Sequence, residues 1–242
     1  MKIYRSSAVL LFVLMIAGHF SFAQTGQATN SSNVQVRQLE NFNGIQMNVP
    51  AVLTISQAVT YSVRLEGRGE IMDQVITEVK GKKLVIRSKD NKWKGGNDNS
   101  LHIFIELPQL NYLDLNGSGD VVAATEIVSD NMELEVNGSG NISLQKVTFG
   151  GLKATINGSG DIFLAGGNVR ESSFLVNGSG NIDCNQLSIV QVTAMITGSG
   201  NIATGNVTSI DAAITGSGNI SYKGTDVNVK KRVTGSGKLI AK

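Results

Sequence analysis

Asn137-Gly138-Ser139-Gly140-Asn141-Ile142 is one of seven near-copies of a single hexapeptide in this chain. The others are NGSGDV at Asn116–Val121, NGSGDI at Asn157–Ile162, NGSGNI at Asn177–Ile182, TGSGNI at Thr197–Ile202 and at Thr215–Ile220, and TGSGKL at Thr234–Leu239. Their first glycines are Gly117, Gly138, Gly158, Gly178, Gly198, Gly216 and Gly235; their second are Gly119, Gly140, Gly160, Gly180, Gly200, Gly218 and Gly237. Successive copies lie 18 to 21 residues apart. A near-constant period of that length marks a repeat architecture.

The flanks decide which one. Apolar residues alternate upstream, as in Met132, Leu134, Val136 and in Val192, Ala194, Ile196. They alternate again downstream, as in Ile142, Leu144 and in Ile182, Cys184. A period of two is that of a strand with one face inward. A further apolar position recurs about halfway round: Ile127, Val147, Val169, Leu187, Val207 and Val227. Each unit therefore reads as about three short strands separated by turns, with no 3.6-residue period to suggest a helix. One unit cannot bury its own apolar face, but units stacked about 4.8 Å apart can. The expected fold is all-β, a parallel β-solenoid (β-helix) of about 20 residues per coil.

Half of the 28 glycines fall in these seven corners. Sharp corners need φ > 0, which glycine adopts freely. The serine between them can stack on its counterpart in the next coil. The flanking Asn, Asp and Thr can bond to their own backbone, and Asn in successive coils can form amide ladders.

Residues 116–242 form the regular solenoid in this reading. Residues 35–115 lack the corner motif but carry strand-like runs at Val52–Ser56, Tyr61–Leu65, Leu84–Arg87 and Leu101–Glu106. They are expected to be irregular coils that begin and cap the solenoid, a separate small β-domain being the alternative. Ser88–Ser100 (SKDNKWKGGNDNS) reads as a polar loop between two strands. At the other end Lys230, Lys231, Arg232, Lys238 and Lys242 cluster on the last coil and are expected to blunt its edge.

The N-terminus sets the compartment. Lys2 and Arg5 precede an apolar run from Ala8 to Ala17 and then Ser21-Phe22-Ala23. That is the layout of a secretory signal peptide, residues 1–23, cleaved after Ala23 and followed by a flexible segment, 24–34. The apolar run is short for a membrane span, which weighs against an uncleaved anchor. The mature protein is expected in the periplasm, outside the cell or on its surface. Cleavage removes two of the 21 basic residues and none of the 19 acidic ones, leaving a formally neutral chain. Such a chain lacks the positive field that nucleic-acid binding requires. The single cysteine, Cys184, permits no internal disulfide.

The repeated GSG[DN][IVL] corners resemble those of the bacterial putative auto-transporter adhesin, head GIN domain family. So do Phe42-Asn43-Gly44-Ile45, Tyr61-Ser62-Val63 and the Leu-Pro-x-Leu at Leu107–Leu110. The resemblance spans about residues 35–242. It implies a right-handed parallel β-helix, export by a signal peptide and a role in cell adhesion. It brings no catalytic residues.

Candidate chemistry is sparse. His102 is the only histidine outside the signal peptide; it alternates with Leu101 and Ile103, so it points outward from a strand, with no partner for a general base in view. Asp120 and Asp161 occupy equivalent corners two coils apart, with Asn141 between them, which is ordinary turn chemistry. The enzymatic alternative, a polysaccharide-lyase-like β-helix, would need acids on adjacent coils. Cys184 aligns with the inward Leu144 and Leu164 and reads as a buried apolar residue. Four corners match the N-glycosylation acceptor pattern as a by-product of the repeat. Trp93, between Lys92 and Lys94, is the candidate ligand contact, since an aromatic with flanking donors can stack on a sugar or anchor a partner. Its bland counterpart is a loop tryptophan folded back onto the solenoid. The expectation is a non-enzymatic surface module without cofactor or metal, whose partner is a cell-surface glycan or an envelope or extracellular protein. A structural periplasmic envelope protein is the remaining alternative.

Overall fold

The computed structural model describes residues 33–90, 92, 93 and 100–242. The signal peptide, the segment that follows it up to residue 32, and Lys94 lie outside the described residues. Seventeen strands form one hydrogen-bonded sheet that winds on itself. In chain order they are β1 (Asn33–Arg37), β2 (Gly44–Asn48), β3 (Val52–Gln57), β4 (Ser62–Gly67), then the single-turn α1 (Gly69–Met72), β5 (Val75–Lys80), β6 (Lys83–Ser88), β7 (Leu101–Leu107) and β8 (Tyr112–Gly117). The repeats follow as β9 (Asp120–Gly138), β10 (Asn141–Gly158), β11 (Asp161–Leu164), β12 (Gly167–Gly178), β13 (Asn181–Gly198), β14 (Asn201–Gly216), β15 (Asn219–Lys223), β16 (Asn228–Gly235) and β17 (Lys238–Ala241).

The pairing is parallel throughout the repeats and in register at the corner motif. Gly138 lies beside Gly117 and Gly158, and Gly178 beside Gly158 and Gly198. The fold is a parallel β-solenoid of about 20 residues per coil. Val121, Ile142, Ile162, Ile182, Ile202 and Ile220 stack along its axis as a fully buried column. Burying such a side chain stabilises by about 1.5–3 kcal/mol, and stacking repeats the gain on every coil.

The coil has fewer interruptions than its sequence implies. β10 and β13 each run unbroken for 18 residues, so three strands separated by turns is a correction to make. Two of the bends occur inside a strand. At one, a single residue steps out of the ladder: Asp130, Gly150, Arg170 and Val190, whose neighbours on both sides remain paired. At the other, the register shifts between Leu144 and Lys146 and between Cys184 and Ser188. The varying repeat length is absorbed there. Val169 accordingly stands beside Phe149 and Ile189, while Val147 is paired with Gly167. The halfway series is thus two inward columns.

The two glycines of each corner differ in their reason. Gly158 has φ +141°, which excludes a β-carbon on conformational grounds. Gly160 is not in that region, but a β-carbon there would overlap the carbonyl oxygen of Gly140 in the coil below. The first glycine makes the turn and also lets the coils close up, since a β-carbon on Gly158 would overlap the Gly138 carbonyl oxygen; the second serves the close approach alone.

Residues 33–115 share the same sheet. β2 and β3 form a coil that pairs with β8 and β9 on one side and with β6 and β7 on the other, all in parallel. Beyond that layer the pairing turns antiparallel: β5 on β6, β4 on β7 and β1 on β4. The described residues form one compact unit.

Candidate binding face

Between the one-residue bend and the GSG corner, each coil contributes eight residues to one long flat face. These are 131–138, 151–158, 171–178, 191–198, 209–216 and 228–235, extended by β8 and β2. Alternate side chains point out, so parallel stacking arranges them in columns along the axis. At the GSG edge the column is Asn48, Asn116, Asn137, Asn157, Asn177, Thr197, Thr215 and Thr234. Its asparagines form an amide ladder: each Nδ2 donates to the Oδ1 of the coil below, at 2.8, 3.1, 2.9 and 3.0 Å from Asn116 to Asn177.

A second ladder lies across the corner. Asn141 Nδ2 donates to Asp120 at 2.8 Å, Asn181 Nδ2 to Asp161 at 2.8 Å and Asn201 Nδ2 to Asn181 at 2.9 Å. Asp120 and Asp161 are rungs of this ladder.

The next column inward along the face begins acidic and becomes apolar: Gln46, Asp114, Glu135, Thr155, Leu175, Met195, Ala213 and Arg232. Asp114 is buried at 6% exposure and accepts from Asn137 Nδ2 at 3.3 Å. Burial raises its carboxyl above the usual aspartate range. Tyr112 beside it is raised too, chiefly by burial and then by the charge of Asp114, and Lys83 Nζ lies 3.5 Å over its ring. In the third column Lys153 Nζ pairs with Glu133 at 2.6 Å, one coil down.

The face is interrupted at one place. Along its outermost column run Asn131, Gly151, Glu171, Gln191 and Ser209. Gly151 leaves a gap in that row. In the inward column just beneath, Met132, Leu152, Val192 and Ile210 are apolar but Ser172 is not. Ser172 Oγ donates to the Gln191 carbonyl at 3.3 Å. Together these departures open a groove of about 580 Å³ over Met132, Leu152 and Ser172, rimmed by Asn131, Glu133, Lys153, Glu171, Gln191 and Thr193. The sequence carried a signal for it, since Gly150-Gly151 and Ser172 break their columns; the missing side chains make no motif of their own.

The residues singled out from the sequence are placed as follows. Trp93 is half-buried and packs against the core, Lys92 is exposed, and Lys94 is outside the described residues. His102 is exposed on β7. Cys184 is fully buried, its thiol pushed up by burial and directed at the Ala203 carbonyl at 3.2 Å. Lys92, Trp93, His102 and Cys184 do not line the groove. Among the described residues there is no cluster of three or more metal-ligating side chains, and no helix is long and apolar enough to cross a membrane.

Solved structures share this architecture. A putative adhesin of Bacteroides fragilis NCTC 9343 superposes with a TM-score of 0.77 at 27% identity, over 88% of this chain and 98% of its own. A putative lipid binding protein of Parabacteroides distasonis ATCC 8503 gives 0.72 at 25% identity, over 88% and 98%. A putative adhesin of Parabacteroides merdae ATCC 43184, at 20% identity and a TM-score of 0.63 over 87% and 97%, shares the fold. No curated protein matches the chain in sequence. Residues 41–225, most of the chain, match one family across the β2–β15 coils just described, and the chain belongs to it: the putative auto-transporter adhesin, head GIN domain family.

Proposed function

We propose that this protein is an exported, non-enzymatic adhesion module that holds a cell-surface glycan or an envelope or extracellular protein against its long face. The observation that carries this reading is the face itself. Six repeat coils present outward side chains in fixed columns, and amide ladders hold one edge at bond lengths of 2.8–3.1 Å. A surface so ordered binds without the entropy cost of arranging its side chains. The Bacteroides fragilis neighbour, named a putative adhesin, agrees with it. The polysaccharide-lyase-like alternative draws no support from Asp120 and Asp161, which are engaged as ladder rungs.

Immobilised protein tests this against whole cells, a broad glycan panel and envelope proteins. Saturable attachment is expected, lost when charge is placed on the face by Leu175→Glu with Met195→Glu; both side chains point outward, and Met195 is 45% exposed. Attachment unchanged by that pair would remove the face from the reading. Trp93→Ala belongs in the same experiment, because Trp93 is only partly buried and Lys92 beside it is exposed; loss of attachment in that variant alone would move the site from the face to Trp93. One neighbour is named a putative lipid binding protein, and Met195 is exposed between the half-buried, outward-facing Leu175 and Ala213, so vesicle pelleting with the Leu175/Met195 pair tests a lipid surface as the ligand.

A further inference from the structure

We propose that the groove at Gly151 and Ser172 is the ligand-reading site of the long face, and that it takes a neutral glycan chain laid along the solenoid axis. This rests on the adhesion reading above and names its ligand class. The argument begins with the repeat. In a solenoid, any residue that fits its column serves stacking, so a departure that stacking does not need requires another reason. Gly151 lies between Asn131 and Glu171 in a row whose other members all carry polar side chains, and its backbone is not one that demands glycine. The Asn131 amide lies across this position; its oxygen is the one close atom a β-carbon there would meet, at 2.7 Å, and it is the movable end of a flexible group. Ser172 stands between Leu152 and Val192 in a column whose other members are apolar and larger, and its hydroxyl is bonded to the Gln191 carbonyl. Both substitutions take volume from the same spot.

The groove left behind has the chemistry of a sugar site. Its floor is apolar at Met132 and Leu152, with the Ser172 hydroxyl beside them. Its rim offers amides from Asn131 and Gln191, carboxylates from Glu133 and Glu171, the Lys153 ammonium and the Thr193 hydroxyl. Such a mixture pairs with hydroxyl groups as donor and as acceptor, and ionised partners strengthen those bonds. The groove reaches over the four coils from Asn131 to Gln191, roughly 15 Å at the coil spacing. Its polar groups recur at that spacing, close to the advance per sugar of an extended polysaccharide.

Charge selects within that class. Both rim carboxylates are ion-paired, Glu133 with Lys153 at 2.6 Å and Glu171 with Arg170 at 3.6 Å, so the rim offers no unengaged cation. Asp114 and Glu135 stand in the adjacent column. A uronate-, sialate- or sulfate-bearing chain would have to break one of these pairs and lie beside Glu135, so a neutral chain is favoured.

The test is the purified protein on an array of neutral and acidic glycans presented at high density, since an open site binds weakly and gains by avidity. Saturable binding to neutral chains is expected. Gly151→Gln, which fills the gap with the side chain found at position 191, should weaken it at least tenfold, with a thermal midpoint close to the parent's. Ser188→Gln, on a different face, should leave it unchanged. Should Gly151→Gln fail to fold, Glu171→Ala with Gln191→Ala replaces it, with the same tenfold loss expected. Binding to acidic chains only, or binding indifferent to these groove variants, overturns the assignment of the groove and its ligand. Cell attachment without binding to any glycan overturns it as well, yet leaves the adhesion reading standing with a protein partner. Absence of both attachment and glycan binding fails the adhesion reading itself.

Discussion

At the scale of single residues, position within the coil decides what a substitution costs. Gly160 and Ser159 are neighbours in one corner with opposite tolerances. An alanine β-carbon at Gly160 would overlap the Gly140 carbonyl, which the inter-coil ladder fixes in place. Gly160→Ala is expected to destabilise the protein by about 3 kcal/mol, the upper part of the range for overpacking a core. The side chain of Ser159 is exposed, and Ser159→Ala should stay within about 0.5 kcal/mol; denaturant midpoints measured side by side check the contrast. Asp114 makes a prediction about pH. Burial, opposed by its amide partners and reinforced by Glu135, raises its carboxyl above the unfolded value. The fold therefore holds that proton more tightly than the unfolded chain does. The stability this gives is complete below the ordinary aspartate range and is lost as pH rises through the raised folded value. At neutral pH the buried carboxylate is a net cost. Asp114→Asn keeps an acceptor for Asn137 Nδ2 and removes the charge. It is expected to raise the melting midpoint at pH 7 by about 2–4 °C and to flatten the decline between acid and neutral pH. A midpoint that falls at pH 7 would mean that the charge is compensated in place.

At the scale of elements, the amide ladder behaves as a chain. Asn157 donates to Asn137 and accepts from Asn177, so Asn157→Ala breaks two links. A cost of about 1–2 kcal/mol is expected. Adding Asn177→Ala should cost less than it does alone, because its ladder bond, to Asn157, is already gone; a double-mutant cycle by chemical denaturation reads this directly. The ladder and the GSG corner were legible in the sequence because each requires a particular residue on every coil. The other two bends were not. Arg170 and Val190 step out of the ladder in ordinary backbone, and a bend that any residue can make leaves no mark on composition. The same indifference let Val169 be aligned with Val147, since bends of variable length shift the register between corners. The groove was hidden for a related reason: Gly151 and Ser172 act through volume they do not fill, and only the stacked columns show that something is missing. Trp93, which did stand out, packs against the core and outside the groove.

At the scale of the molecule, a solenoid must keep its open edges from pairing with other chains. The N-terminal end answers with the antiparallel strands β1, β4 and β5. The last coil answers with charge, and Lys231 is the sharpest instance. Its column runs through Ala154, Phe174, Ala194 and Ala212, all buried, and then reaches Lys231 on β16. An inward position on the terminal coil thus carries an ammonium that any further layer would have to bury. Lys230, Lys238 and Lys242 are exposed on the same coil, and Arg232 is offset in part by Asp211 at 3.1 Å. Burying an unpaired lysine costs several kcal/mol, which opposes the addition of another layer. Lys231→Val should therefore convert the end of the rod into a surface that accepts another strand. The variant is expected to keep or raise its thermal midpoint while gaining concentration-dependent dimers or longer assemblies in sedimentation velocity. Lys231→Glu, which restores a charge of opposite sign, should return it to the parent's association state. If Lys231→Val sediments as the parent does at every concentration, the remaining lysines are sufficient, and Lys231→Val with Lys238→Asn should then associate.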